Sequence, residues 1–186
     1  MGPMILLFGA SASGKTEIAK VLERDYLIKK AITSTTRKMR EGEKDGLSYF
    51  FYDEDSFKKR LEEGFFAEST IYNGHYYGTG KDQIANDKCI VLDPKGVASF
   101  QKLNDSSIVS FYLEATIDTR RKRMKMRGDK DEEIEQRLSN DEKAFAAASL
   151  PVADFYLSTD AKSIALLAEE INALYLETLS KRGVRI

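Results

Sequence analysis

The chain has one cysteine, Cys89, and one histidine, His75, in 186 residues. A single thiol excludes an intramolecular disulfide and a cysteine-based zinc cage, and it fits a reducing compartment. Its place in the apolar run Cys89-Ile90-Val91-Leu92 marks it as a core side chain. Excess charge is missing too: 29 basic residues face 30 acidic ones, for a net charge of −1. No global field therefore draws the protein to nucleic acid or to an anionic membrane, and any anion it holds must be bound locally. Long apolar runs are absent. The N-terminal stretch Met4 to Phe8 is far too short to span a bilayer and has no basic residues ahead of it. The expectation is a soluble, cytoplasmic protein. There is no internal repeat, low-complexity tract or heptad seam. At 42% hydrophobic residues the length suits one well-buried core and is short for two.

What is present is local and specific. Gly9-Ala10-Ser11-Ala12-Ser13-Gly14-Lys15-Thr16 matches G-x-x-x-x-G-K-[ST], behind the apolar run Met4–Phe8 and ahead of an amphipathic segment. Strand, loop and helix in that order make a phosphate cradle. The strand fixes the loop, successive backbone N–H groups close around phosphate oxygens, and the helix aims its positive end at them. Lys15 is expected to add charge at the β- and γ-phosphates of a bound nucleotide, and the Thr16 hydroxyl to be a ligand for Mg²⁺. Ala12 and Ser13 stand where many such loops carry a further glycine, so only two glycines supply unusual dihedrals.

Beyond the loop, Ile18, Val21 and Leu22 fall at helical spacing to about Asp25, and Tyr26-Leu27-Ile28 is expected to open a second strand. Ser34 to Gly46 is a polar loop, basic at its start. Leu47–Tyr52 reads as a strand, Asp53–Glu63 as a helix stopped by Gly64, and Phe65–Tyr72 as a strand. Asn73-Gly74 is a hairpin turn returning through His75-Tyr76-Tyr77-Gly78. Lys88–Asp93 is a buried strand ending in a carboxylate, with Pro94 starting a helix to about Leu103. A strand over Ser107–Leu113, helices over Ile117–Met126 and about Asp131–Ala148, a strand over Asp154–Ser158 and a closing helix through Ile164, Leu167, Ile171 and Leu174 complete the pattern. Alternating strands and helices imply an α/β fold with a parallel sheet covered on both faces, and ligands gathering at the carboxyl ends of its strands.

Ser34-Thr35-Thr36-Arg37, Arg40, Gly42-Glu43, Gly46, Tyr49 and Phe50-Phe51 resemble the Thr-Thr-Arg signature of the guanylate kinase family. Glu68, the run Asn73–Thr79, Arg127-Gly128, Ile134 and Arg137-Leu138 follow in the order that family shows, so the resemblance covers nearly the whole chain. It implies a P-loop kinase whose core comprises residues 1–33 and 88–186, with an inserted nucleoside monophosphate lobe over 34–87 and a helical lid near 126–140. By that resemblance Arg37, Arg40, Tyr49 and Tyr77 hold the phosphate of GMP. Planar donor forks and hydroxyls suit a dianion. Glu68 accepts from guanine N1–H and the 2-amino group, a pair of donors that adenine lacks. Ser34 and Thr79 match hydroxyls that touch the base, and Asp93 matches an acid lining the crevice. Lys15, Arg37, Arg123, Arg127 and Arg137 carry the transfer, the last three folding over the ATP phosphates. Arg120, Arg121, Lys122 and Lys125 read as a solvated face. His75 is a turn residue, because transfer to an ionised phosphate needs alignment and charge neutralisation rather than a strong base.

Three positions depart from the family pattern. Val91 stands where an acid usually helps anchor the water shell of Mg²⁺, Ala12 replaces a loop glycine, and Thr159 stands near the adenine where asparagine is common. Two other readings share the fold. One is a kinase of another phosphorylated acceptor, such as a ribose bisphosphate; Glu68 and the two hydroxyls speak against a base-free acceptor. The other is a non-catalytic guanylate kinase-like module; the intact Lys15 and Thr16 speak against it. No nucleic-acid or membrane partner is expected, and the sequence is silent on oligomeric state.

Overall fold

The computed structural model describes residues 3–40, 42–72, 74–84, 87–146 and 150–185. Strand β1 (Met4–Phe8) is buried along its whole length and lies at the centre of a five-stranded parallel sheet. Its neighbours are β7 (Lys88–Leu92) and β8 (Ile108–Glu114), with β2 (Lys29–Lys30) and β9 (Phe155–Ser158) at the edges. A central parallel strand is covered on both faces, which is why its residues are apolar without alternation. Ile5 and Leu7 meet α1 (Lys15–Tyr26) and α6 (Ile164–Lys181), through Ile18, Leu22, Leu167 and Ile171. Met4 and Leu6 meet Ala31, Ile84 and Phe100 on the other face, the last from α3 (Pro94–Gln101). Cys89 is buried as expected, and burial pushes its thiol up to about 12, which leaves it protonated and inert.

The expected strand at Tyr26 is corrected. Tyr26 ends α1 because its ring packs on the α1/α6 core. Leu27 then takes a left-handed conformation, φ 59°, to close the helix, so β2 begins only at Lys29.

Residues 34–80 build a second sheet, in the order β4-β3-β6-β5, from β3 (Ser34–Thr35), β4 (Phe50–Phe51), β5 (Phe66–Tyr72) and β6 (His75–Gly80). The strand expected from Leu47 is shorter than its aromatics suggested. Leu47 and Ser48 turn back on the Lys44 carbonyl and the Gly46 N–H meets Tyr49, leaving only Phe50 and Phe51 extended. Conversely, Ser34 and Thr35, expected in the loop, pair with Gly78 and Tyr77. The β5/β6 hairpin forms with Tyr72 opposite His75; the Asn73 half of its turn signal lies outside the described residues. Helix α2 (Glu54–Glu62), capped by Asp53, plants the fully buried Phe57 on this sheet. Gly78 is required there: a Cβ would stand 3.0 Å from both Phe57 and Phe66.

Helices α4 (Ile117–Met126) and α5 (Asp131–Ala144) form a hairpin with its own small core of Met124, Ile134 and Leu138. The expected run of α5 to Ala148 ends at Ala144, and Ala147 and Ala148 lie outside the described residues. No helix among the described residues is long and apolar enough to cross a membrane. The carboxyl ends of β1, β7, β8 and β9 bring Gly9, Asp93, Thr116 and Thr159 to one edge, where the site lies.

Candidate active site

Two cavities open at that edge. The first, about 330 Å³, is lined by Ala12, Gly14, Lys15, Thr16, Arg123 and Arg127. The loop enters it from β1 through Gly9, where a Cβ would stand 2.2 Å from the Leu113 carbonyl of β8. Only glycine lets the two backbones approach so closely. Lys15, the first residue of α1, folds back so that its ammonium donates to the carbonyls of Gly9 at 2.7 Å and Ala10 at 2.8 Å. Burial lowers its pKa to about 8; Asp141 opposes that shift and Arg120 adds to it. Thr16 is exposed to the cavity.

Ala12 holds φ 60°, the left-handed conformation the missing glycine would have supplied. Strain of about 1 kcal/mol in that region is offset because its methyl packs on Met124, Ile134 and Leu138. Ala12→Gly is therefore expected to shift the unfolding free energy by less than about 1 kcal/mol, since strain relief, lost packing and added chain entropy nearly cancel. Ala12→Val should destabilise by about 2 kcal/mol or more, a β-branched residue being a true outlier at positive φ. Thermal unfolding of both variants checks this.

The arginines are placed unequally. Arg123 donates to the Ala12 carbonyl at 3.1 Å and to the Thr159 hydroxyl and carbonyl at 3.0 and 2.6 Å. Arg127 and Arg137 both pair with Asp129 in the α4–α5 turn, and the Arg127 guanidinium holds that carboxyl below its usual range. Arg137 does not line the cavity. Arg121, Lys122 and Lys125 behave as the solvated face expected of them, but Arg120 is a correction. It is 6% exposed, donates through Nε to the Ser11 carbonyl at 2.8 Å, and pairs with Asp141. Asp141, 7% exposed, accepts from the Ser11 N–H at 2.9 Å and the Ser11 hydroxyl at 3.2 Å. A signal for it existed: Asp141 continues the helical period of Ile134 and Leu138, and a charge on an apolar stripe needs a buried partner.

The second cavity, about 240 Å³, lies between the two sheets, with Tyr49, Glu68 and Tyr77 on one wall and Val91, Asp93 and Gly96 on the other. Glu68 is 6% exposed; its Oε1 accepts from the Thr79 hydroxyl at 2.6 Å, and its Oε2 is buried with no partner. Burial raises this carboxyl to about 7; the Thr79 bond opposes the rise and Asp93 adds to it. Thr33, rather than Ser34, stands at the wall; Ser34 is buried in β3. Asp93 lines the cavity and also caps α3, accepting from the Gly96 N–H at 2.7 Å.

Arg37 lies over the Tyr49 ring at 5.5 Å, meets the Tyr77 hydroxyl, and is gripped by both oxygens of Glu43 at 2.8 and 3.0 Å. Glu43 also accepts from the Arg40 backbone N–H at 2.7 Å, which shapes the loop around both arginines. The Arg40 side chain is exposed. Glu43 is a site residue that sequence reading left without a role, although it stands inside the signature. Chemically, the second cavity offers the Tyr49 and Tyr77 hydroxyls for an anion, with the Arg37 guanidinium against those rings but outside the lining, and an unanswered carboxylate oxygen for a pair of donors.

The guanylate kinase family model matches residues 1–164. The guanylate kinase of Chlorobium chlorochromatii is 36% identical over 146 residues, which is 74% of this chain and 77% of that protein. The chain belongs to the guanylate kinase family. A second guanylate kinase, from Hydrogenovibrio crunogenus, is 35% identical over 147 residues, 75% of this chain and 72% of that one. The crystal structure of guanylate kinase from Anaplasma phagocytophilum superposes with a TM-score of 0.65 at 24% identity, over 96% of this chain and 87% of that one. That likeness bears on the fold and agrees with the parallel sheet. Among the described residues no group of three or more carboxylate, histidine or cysteine side chains is placed to hold a metal ion.

Proposed function

We propose that this chain is an ATP-dependent phosphotransferase that moves the γ-phosphoryl group of ATP to GMP, giving ADP and GDP. Supporting this are the family and the two cavities, one at the phosphate loop and one lined by Tyr49, Glu68 and Tyr77. The observation that carries the acceptor's identity is the buried, partnerless Oε2 of Glu68. A buried carboxylate oxygen without a donor is costly, and a guanine edge supplies two donors to it. A ribose bisphosphate has hydroxyl donors but no planar edge with two adjacent N–H donors, so the base-free acceptor is disfavoured.

In this reading the acceptor phosphate binds Arg37, Arg40, Tyr49 and Tyr77, with Glu43 holding Arg37 in place. Thr79 orients Glu68, Asp93 borders the base, and Ser34 supports the wall from β3. Donor phosphates lie on backbone N–H groups of the 9–16 loop other than that of Ser11, which Asp141 holds, with Lys15 leaving its carbonyl partners to reach them. Thr16, open to the donor cavity beside Lys15, fits Mg²⁺, a cation that takes phosphate oxygens and water alongside one or two protein groups. Mg²⁺ supplies neutralisation of phosphate charge when bound. Val91 adds apolar wall where a carboxylate would stand, so the water shell is held without that acid. Closure of the 34–87 lobe and of the lid near residues 126–140, at the tip of the α4–α5 hairpin, would exclude water, which otherwise competes for the phosphoryl group. On closure Arg127 and Arg137 would exchange Asp129 for phosphate oxygens. The substrates are small nucleotides, and a cytoplasmic location fits them.

The test is ADP release from MgATP with GMP, AMP, UMP or ribose 1,5-bisphosphate as acceptor. Turnover with GMP alone supports the proposal. Turnover only with another acceptor, or GMP binding without turnover, overturns it.

A further inference from the structure

A phosphate loop binds anions with its N–H groups, so its carbonyls must be held facing away. Here four consecutive carbonyls each accept from a cationic side chain. Those of Gly9 and Ala10 take Lys15, that of Ser11 takes Arg120, and that of Ala12 takes Arg123. The loop has fewer glycines than its motif often carries, and these cations pin its shape from outside. Two of the four contacts are conditional, because Lys15 is the residue that turns to the donor phosphates. Once it does, the carbonyl side of the loop rests on Arg120 and Arg123.

Arg120 is the better buried of the two, and it does not act alone. Its partner Asp141 comes from the other arm of the hairpin and takes both the N–H and the hydroxyl of Ser11. All three polar groups of one loop residue are thus answered by one ion pair, with one member from α4 and one from α5. A buried ion pair is weak as a source of stability, since apolar residues of similar volume often serve as well. Its bonds to Ser11 are what apolar residues cannot replace.

Resting on the donor reading of the loop, we propose that Arg120 and Asp141 are positioning residues that lock the phosphate loop to the base of the α4–α5 hairpin and set how tightly and productively MgATP is held. Neither touches substrate. The pair ties the loop to the arms that carry Arg123, Arg127 and Arg137, so loop and hairpin keep one relative geometry while the hairpin tip moves.

Two variants test this. In Arg120→Lys the charge opposite Asp141 remains, but the planar fork that serves Asp141 and the Ser11 carbonyl together is gone. In the double variant Arg120→Leu with Asp141→Ala the buried charges go as a pair, which protects folding. Expected in both is a folded protein, with thermal unfolding near wild type in Arg120→Lys and modestly lowered in the double variant, where the Ser11 groups lose their partners. KM for ATP should be raised about tenfold and kcat lowered about tenfold, with KM for GMP unchanged. Affinity for a non-hydrolysable ATP analogue, measured by calorimetry, should fall by the same factor. That arm needs no GMP turnover, so it reads the pair even if the acceptor is not GMP. Wild-type ATP parameters and analogue affinity in the folded Arg120→Lys protein would overturn the proposal. So would losses in both substrates that merely track the unfolded fraction. If the double variant does not fold, Arg120→Lys decides alone.

Discussion

Lys15→Ala is expected to lower kcat for GMP phosphorylation about 10³-fold, with KM for ATP raised and KM for GMP little changed. The loop N–H groups remain in the variant, but the one mobile cation that follows charge onto the β- and γ-oxygens is lost. Stability should move far less. In the free protein the ammonium is buried enough for its pKa to fall to about 8, so removing it relieves a desolvated charge while depriving the Gly9 and Ala10 carbonyls of a donor. The same depressed pKa gives the wild type an alkaline limb. Phosphate favours the ammonium, so above pH 8 the free protein must take up a proton to bind ATP, and apparent ATP affinity falls toward tenfold per pH unit. The groups that set this limb are the burial of Lys15 and the opposed fields of Asp141 and Arg120. Steady-state kinetics from pH 7 to 9.5, with calorimetric proton uptake, checks it. A flat KM for ATP across pH 8 would show that Lys15 is charged throughout.

What the sequence made legible was whatever is encoded in contiguous residues. β1 and the loop after it, the helix near Asp53–Glu63, and the return through Gly78 follow from local pattern. The misplaced boundaries at Tyr26 and Leu47 have different causes. Tyr26 extends a helix because its ring packs on a distant core that local propensity does not contain, whereas Leu47, 67% exposed, joins a turn closed by the Lys44 carbonyl with no apolar partner to hold it in a strand. Within the site, Glu68, Tyr49 and Tyr77 were found by motif and do share a cavity. Arg120 and Asp141 were hidden because each is one more charge on a charged helix. Only the helical period, which puts Arg120 beside Met124 and Asp141 after Leu138, separates them from the solvated residues. Ser34 shows the opposite limit, a motif residue whose hydroxyl lies in the buried strand while Thr33 reaches the wall.

The second large effect belongs to Glu68. Glu68→Gln should lower kcat/KM for GMP about 10³-fold, since two bonds to a charged acceptor are lost and an amide donor faces guanine's own donors. The variant should nonetheless be the more stable protein without nucleotide. Burial raises the folded-state carboxyl to about 7 against an ordinary 4.5, so between those values the folded state binds more protons than the unfolded chain. Wild-type stability then falls as pH rises through that window. The penalty is complete above pH 7, at about 3 kcal/mol, and absent below pH 4.5. Thermal unfolding should show Glu68→Gln ahead of wild type at pH 8 and level with it at pH 4. GMP binding has the matching sign: the base requires the carboxylate, so below pH 7 the wild type must release a proton and KM for GMP rises toward tenfold per unit. The second ionisation of the GMP phosphate, at about 6, contributes its own limb, and Glu68→Gln retains only that one. A wild-type KM for GMP that follows the phosphate limb alone would mean Glu68 is already ionised in the empty site and the missing donor is supplied by the protein. A steeper dependence, lost in the glutamine variant, would establish the unanswered oxygen as the guanine reader, held at a stability penalty until its ligand arrives.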